Sequence, residues 1–140
     1  MDVVLLAGRI LFVVVFLLSG VSHFAQREAL TQYAKAYKAP APALLVPLTG
    51  AVLVAGSLSV VLGIWADLGA LLIVAFLIPT SFFMHAFWKE PDPQQKQNQM
   101  AHFMKNLALA GGALVIFYLY NQIQGEAPLS ITDPLFERTD

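Results

Sequence analysis

The chain contains no cysteine. That excludes disulfides, thiol relays, thiolate-held iron–sulfur clusters and zinc–thiolate sites built from this chain alone. Charge is scarce as well: Asp, Glu, Lys and Arg together make up 12% of the 140 residues. No flavin, haem-attachment or iron–sulfur motif is present, so the sequence offers no obvious entry for electrons. The cations of a secretory signal are missing too. Asp2 is the only charge ahead of the first apolar run, and the lone cation Arg9 lies inside it. That run is also too long for a usual signal core, and it is expected to be a retained span.

What the chain has in abundance is apolar surface. Hydrophobic residues make up 58% and the mean hydropathy is +0.68. A soluble domain of this size could not hide so much inside itself. Four apolar runs, 3–24, 43–65, 68–88 and 103–121, are each about 20 residues, the length a helix needs to cross a bilayer. Barrel strands would be shorter and would alternate apolar with polar. The sequence therefore predicts an all-α integral membrane four-helix bundle, a single domain over 1–140 with a polar tail at 122–140. The lipid bilayer is its first partner; no nucleic acid is expected.

Four spans put both termini on one side. The opposite side receives Arg27, Lys35, Lys38, Lys89, Lys96 and Lys105, whereas the tail contributes only Arg138. Lys and Arg concentrate in cytoplasmic loops, so both termini are predicted to face outward. The connection near Gly63-Ile64-Trp65-Ala66-Asp67 is so short that spans two and three must form a tight hairpin. In 26–38, Leu30, Tyr33, Ala34 and Tyr37 recur at helical spacing with Arg27, Lys35 and Lys38 off that stripe. This predicts a short amphipathic helix along the membrane surface, ended by Pro40 and Pro42.

Polar residues inside the apolar runs are the candidates for chemistry. Arg9 sits about 10 Å into its helix at 1.5 Å per residue. An intramembrane charge needs a partner or a polar cavity; Asp67, Tyr118 and Asn121 share its depth, and Asp67 is the first choice. His23, His85 and His102 all fall at the cytoplasmic boundary. Ser81, His85 and Trp88 share one helical stripe, and His102, Lys105 and Asn106 another. Such a cluster can bind a quinone head by hydrogen bonds, hold a metal, or give axial ligands to haem, for which His85 with His102 is the pair to test. No spacing is diagnostic; a quinone-like amphiphile is favoured over haem or metal. Ala51, Ala55, Ser59 and Gly63 form a ladder of small residues suited to close helix packing, and Ala108, Ala110, Gly111, Gly112 and Ala113 a similar patch. Pro79 sits mid-span beside Thr80, where it kinks the helix or opens a cavity near Ser81 and His85.

Across nearly its whole length the chain resembles the DoxX family of small bacterial four-span proteins. The resemblance rests on Gly8-Arg9-Ile-Leu-Phe and Leu18-Ser19-Gly20, on Ala39-Pro-Ala-Pro42 and Thr49-Gly50, and most specifically on two later segments. These are His85-Ala-Phe87-Trp88 and His102-Phe-Met-Lys105-Asn106-Leu-Ala-Leu-Ala-Gly111-Gly112. It implies a bacterial inner-membrane protein in a redox-associated setting, since the family includes relatives of the membrane subunit of thiosulfate–quinone oxidoreductases. Family members often carry a Glu between two glycines of span two; here Ala51-Val-Leu-Val-Ala55 lies between Gly50 and Gly56, with no acid. The favoured reading is an accessory subunit of a quinone-linked membrane assembly, within a larger complex or a homo-oligomer, holding a quinone or lipid. The alternatives are a non-redox scaffold or assembly factor, and a quinone-reducing oxidoreductase in its own right.

Overall fold

The computed structural model describes residues 2–123 and 127–136. Five helices follow in order: α1 (Asp2–Ala25), α2 (Arg27–Ala36), α3 (Pro42–Leu62), α4 (Ala66–Met84) and α5 (Pro93–Ile123), with a 3₁₀ turn at Phe87–Lys89 before α5. Four segments are long and apolar enough to cross a membrane: Asp2–Ala25, Pro42–Leu62, Ala66–Lys89 and Pro93–Ile123. This is the expected all-α membrane bundle with one short helix beside it.

Packing runs in chain order: α1 lies on α3, α3 on α4, and α4 on α5. α1 and α5 make almost no close backbone approach to one another. The shared core is Val13, Phe16, Leu53, Val60, Ala70, Ile73, Leu77, Ala110 and Ala113. Two glycine pairs set the tightest crossings. A Cβ on Gly20 would stand 3.0 Å from the Gly50 carbonyl, and one on Gly56 would stand 3.0 Å from the Gly69 carbonyl. The small-residue ladder is the packing seam only in its second half: Ser59 packs on Gly69 beside Gly56 and Gly63 meets Ser130, whereas Ala51 and Ala55 are exposed and the α1 crossing uses Gly50 instead.

The local signals explain the turns. Ala41 is left-handed (φ 39°) and Pro42 opens α3 with its φ already helical. Gly63 (φ 64°) ends α3, with the Ile64 amide reaching back to the Ser59 carbonyl at 3.0 Å. The Ser59 hydroxyl donates to the Ile64 and Trp65 carbonyls at 2.6 and 2.8 Å, so the predicted tight hairpin is tied from within. α2 shows most of the expected stripe: Ala34 is buried and Leu30 and Tyr37 are half-buried, whereas Tyr33 is exposed.

The fourth span differs from expectation. α5 begins at Pro93, ten residues before the predicted 103, and its 31 residues extend about 46 Å at 1.5 Å per residue. Its first turns are too polar for a hydropathy criterion, yet they form regular helix from the Asp92 side chain onward, which accepts from the Gln95 amide at 2.9 Å. His102 therefore lies inside a helix rather than opening one. The third span ends as helix at Met84, with His85 as its cap.

Candidate functional site

The predicted site residues separate into two groups at opposite ends of the bundle. At the end holding the termini, Arg9 is only 1% exposed. Its guanidinium donates to the Tyr120 hydroxyl (2.7 Å), the Ser130 hydroxyl (3.2 Å) and the Leu129 carbonyl (2.8 Å). The expected pairing with Asp67 is not formed. Asp67, fully buried, accepts instead from the Leu135 and Phe136 amides at 3.0 and 2.7 Å. Residues 127–136 fold back over this end and separate the roles of the two charges. Tyr118, the other aromatic considered, is 65% exposed.

At the other end a cavity of about 550 Å³ opens among α1, α2, α3, α4 and α5. That volume suits a small amphiphile's head and the start of its tail. Its walls are mostly apolar, with Phe16, Phe76 and Leu109 among them, and a few polar groups converge: His23, Thr49, Thr80, His85, Lys105 and Asn106. Pro79 lines it beside Thr80, so this stretch of α4 does border a cavity.

Each polar group has a definite state. His23 Nδ1 lies 2.7 Å from the Ser19 carbonyl one turn back, and its ring meets Phe76 edge-on. His85 Nδ1 lies 2.7 Å from Gln99 Oε1. Asn106 is 5% exposed, lines the cavity, and has no hydrogen-bond partner among the described residues. Its amide atoms are not shut in but reach the cavity space, where a group from outside the chain can bond them. Lys105 lines the same wall and makes no hydrogen bond or ion pair among the described residues.

Three sequence candidates stand apart from this cavity. Ser81 is fully buried and donates to the Leu77 carbonyl of its own helix at 2.7 Å. Trp88 is half-exposed and packs with Phe82, Phe87 and Phe103. His102 is exposed and stacks on the outer side of His85, with ring centroids 5.1 Å apart and planes 21° off parallel. Stacked rings do not aim nitrogens at a common iron from opposite sides, so this pair does not suit axial haem ligation. Among the described residues no group of three or more His, Asp or Glu is placed to hold a metal.

Gln99 was missed. It is 5% exposed and joins His85 to the surface helix, donating to the Tyr37 hydroxyl at 2.8 Å and the Tyr33 hydroxyl at 3.4 Å. Burial, and then the neighbouring Tyr33, push the Tyr37 phenol above its ordinary value, so it stays a neutral hydroxyl. The buried positions of α5 run Gln99, Phe103, Asn106, Ala110, Ala113. Extending that period one turn back from Phe103 points to Gln99.

Comparison with known proteins agrees with the fold. The DoxX family model matches residues 4–86. The inner membrane protein YphA of Escherichia coli (strain K12) is 27% identical over 114 residues, covering 81% of this chain and 81% of that protein. No solved structure matches. His23 and His85 fall within the matched segment, whereas Gln99, Lys105 and Asn106 lie beyond it. With more than half its length matched, the chain belongs to the DoxX family.

Proposed function

We propose that this protein is an accessory subunit of a quinone-linked redox assembly in a bacterial inner membrane. Its cavity would hold the head of an amphipathic ligand, a quinone or a lipid. The observation that carries this reading is Asn106: an amide on a mostly buried residue, bonded to nothing else among the described residues and open to a largely apolar cavity that also presents two imidazoles and a lysine. Soluble polar ligands have no need of such apolar walls, and polar groups gathered on an otherwise apolar cavity suit an amphiphile's head. The inner-membrane placement follows the name of the Escherichia coli relative, and the outward termini follow the Lys and Arg distribution. An accessory role fits a chain without a cofactor motif of its own.

The test is gentle purification from the native membrane, with quinones, lipids and co-purifying chains quantified. Wild type should retain quinone or a specific lipid, and Asn106→Leu, which removes the amide at similar volume, should lose it. Protein partners without any retained amphiphile would favour the scaffold reading instead.

A further inference from the structure

We infer that the cavity selects the reduced, hydroxyl-bearing form of a quinone-type head over the oxidised form, with Gln99 as the positioning residue. This rests on the reading of the cavity as an amphiphile site. The basis is hydrogen-bond polarity. A carbonyl oxygen only accepts, so His23 Nδ1, 2.7 Å from the Ser19 carbonyl, must carry the proton. The neutral ring then offers Nε2 as an acceptor. His85 is set the same way. Gln99 spends its Nε2 donors on Tyr37 and Tyr33 and turns Oε1 to His85 Nδ1 at 2.7 Å, which leaves His85 Nε2 an acceptor as well.

Two imidazole acceptors in the cavity lining, one from α1 and one from the end of α4, ask for two donors. A hydroquinone supplies them: each O–H donates to an Nε2 while its oxygen accepts from Lys105 or Asn106. An oxidised quinone has carbonyls only. Lys105 and Asn106 can serve those, but both Nε2 lone pairs are then shut in without a partner, at the cost of a buried unsatisfied acceptor each. The aromatic walls, Phe16, Phe76, Phe83 and Tyr33, favour a ring over a glycerol head carrying the same hydroxyls. Only binding is involved; no electron or proton transfer is required of this chain.

The full-length protein in dioleoylphosphatidylcholine nanodiscs is incubated with equal decylubiquinol and decylubiquinone, or with 1-oleoylglycerol. Retained amphiphile is then extracted and quantified against empty discs. The quinol should be retained about tenfold over the quinone, which corresponds to about 1.4 kcal/mol. Gln99→Met keeps the volume but frees His85 to change tautomer, so the ratio should fall severalfold. In ¹⁵N-histidine spectra His85 should pass from one Nδ1-protonated tautomer to a mixture. Equal retention of the two forms by wild type overturns the redox-state preference and leaves the cavity reading standing. Retention of neither overturns both. Stronger retention of oleoylglycerol overturns the ring assignment, and an unchanged ratio in Gln99→Met overturns the role of Gln99.

Discussion

Arg9 and Asp67 are the two buried charges of the described chain, and they do not bond one another; each grips the same returning segment. Arg9 holds it at Leu129 and Ser130, and Asp67 holds it at Leu135 and Phe136. Between these points the Ile131 and Thr132 amides bond the Gly63 carbonyl at 3.1 and 3.0 Å, and the Trp65 amide donates to the Thr132 hydroxyl at 2.9 Å. An arginine in the hydrocarbon zone is thus met by neutral oxygens at both Nη atoms, while its Nε has no partner among the described residues. The segment closes the end of the bundle opposite the cavity.

The two charges should therefore act through residues 127–136. Arg9→Ala removes the three hydrogen bonds that tie α1 to Tyr120, Leu129 and Ser130, leaving Tyr120 only its 3.2 Å contact with Ser130, at a cost of about 1–3 kcal/mol. It should lower the melting temperature in detergent and expose the segment to protease. Asp67→Asn should do the same more weakly, since an amide oxygen still accepts one backbone N–H. Truncation after Ile123 removes what both hold, so Arg9→Ala on that background should add less than the sum of the separate effects. Simple additivity would show that Arg9 stabilises the bundle by some other contact.

Orientation is testable against a clean background, because the chain has no cysteine of its own. Single cysteines at Lys35 and Lys96 should resist a membrane-impermeant maleimide in intact cells, and one at the exposed Ile131 should react. The terminal stretch 137–140 should react too, although it lies outside the described residues. Labelling at Lys96→Cys with protection at Ile131→Cys would reverse the topology and move the cavity to the outer leaflet.

The histidines should not be equivalent. His23 and His85 line the cavity, while His102 only backs His85 from outside. His23→Ala and His85→Ala should each weaken amphiphile retention by about tenfold, the worth of one desolvated hydrogen bond near 1.4 kcal/mol. His102→Ala should stay close to wild type. Losses at His85 and His102 with none at His23 would mean that the ligand sits on the exposed His85–His102 face and not within the cavity.

Much of this was legible in the sequence, and the misses share a cause. Run lengths and the spacing of Lys and Arg define the spans, and Gly63 and Pro42 mark the turns by backbone preference alone. Arg9 was recognisable as a buried charge from its depth. Its partners were not, because Leu129 and Ser130 reach it only after the chain doubles back, and no local pattern announces that return. Gln99 was hidden differently. It lies in the polar first turns of α5, below any hydropathy threshold, and only the helical period running back from Asn106 and Phe103 places it beside His85. The small-residue ladder held at Ser59 and Gly63 but not at Ala51 and Ala55, because exposed alanines and packed small residues look alike in sequence; the partner helix decides which face is used.

That distinction supplies the last prediction. A Cβ on Gly50 would come 2.6 Å from the His23 Cβ and 3.1 Å from the Gly20 carbonyl, so α1 would have to move away from α3. Overpacking of this kind costs about 1–3 kcal/mol. Because His23 is one of the atoms displaced, Gly50→Ala should lower both thermal stability and amphiphile retention. Gly111 is the control: nothing lies within 4 Å of its added Cβ, and Gly111→Ala should be neutral or stabilising by up to about 1 kcal/mol through helix propensity. Melting curves in one detergent, with retention measured on the same samples, separate the two sites. If Gly50→Ala melts like wild type while Gly111→Ala is destabilised, then the α1–α3 crossing is looser than described, and α5 carries an interface on the face that holds Gly111.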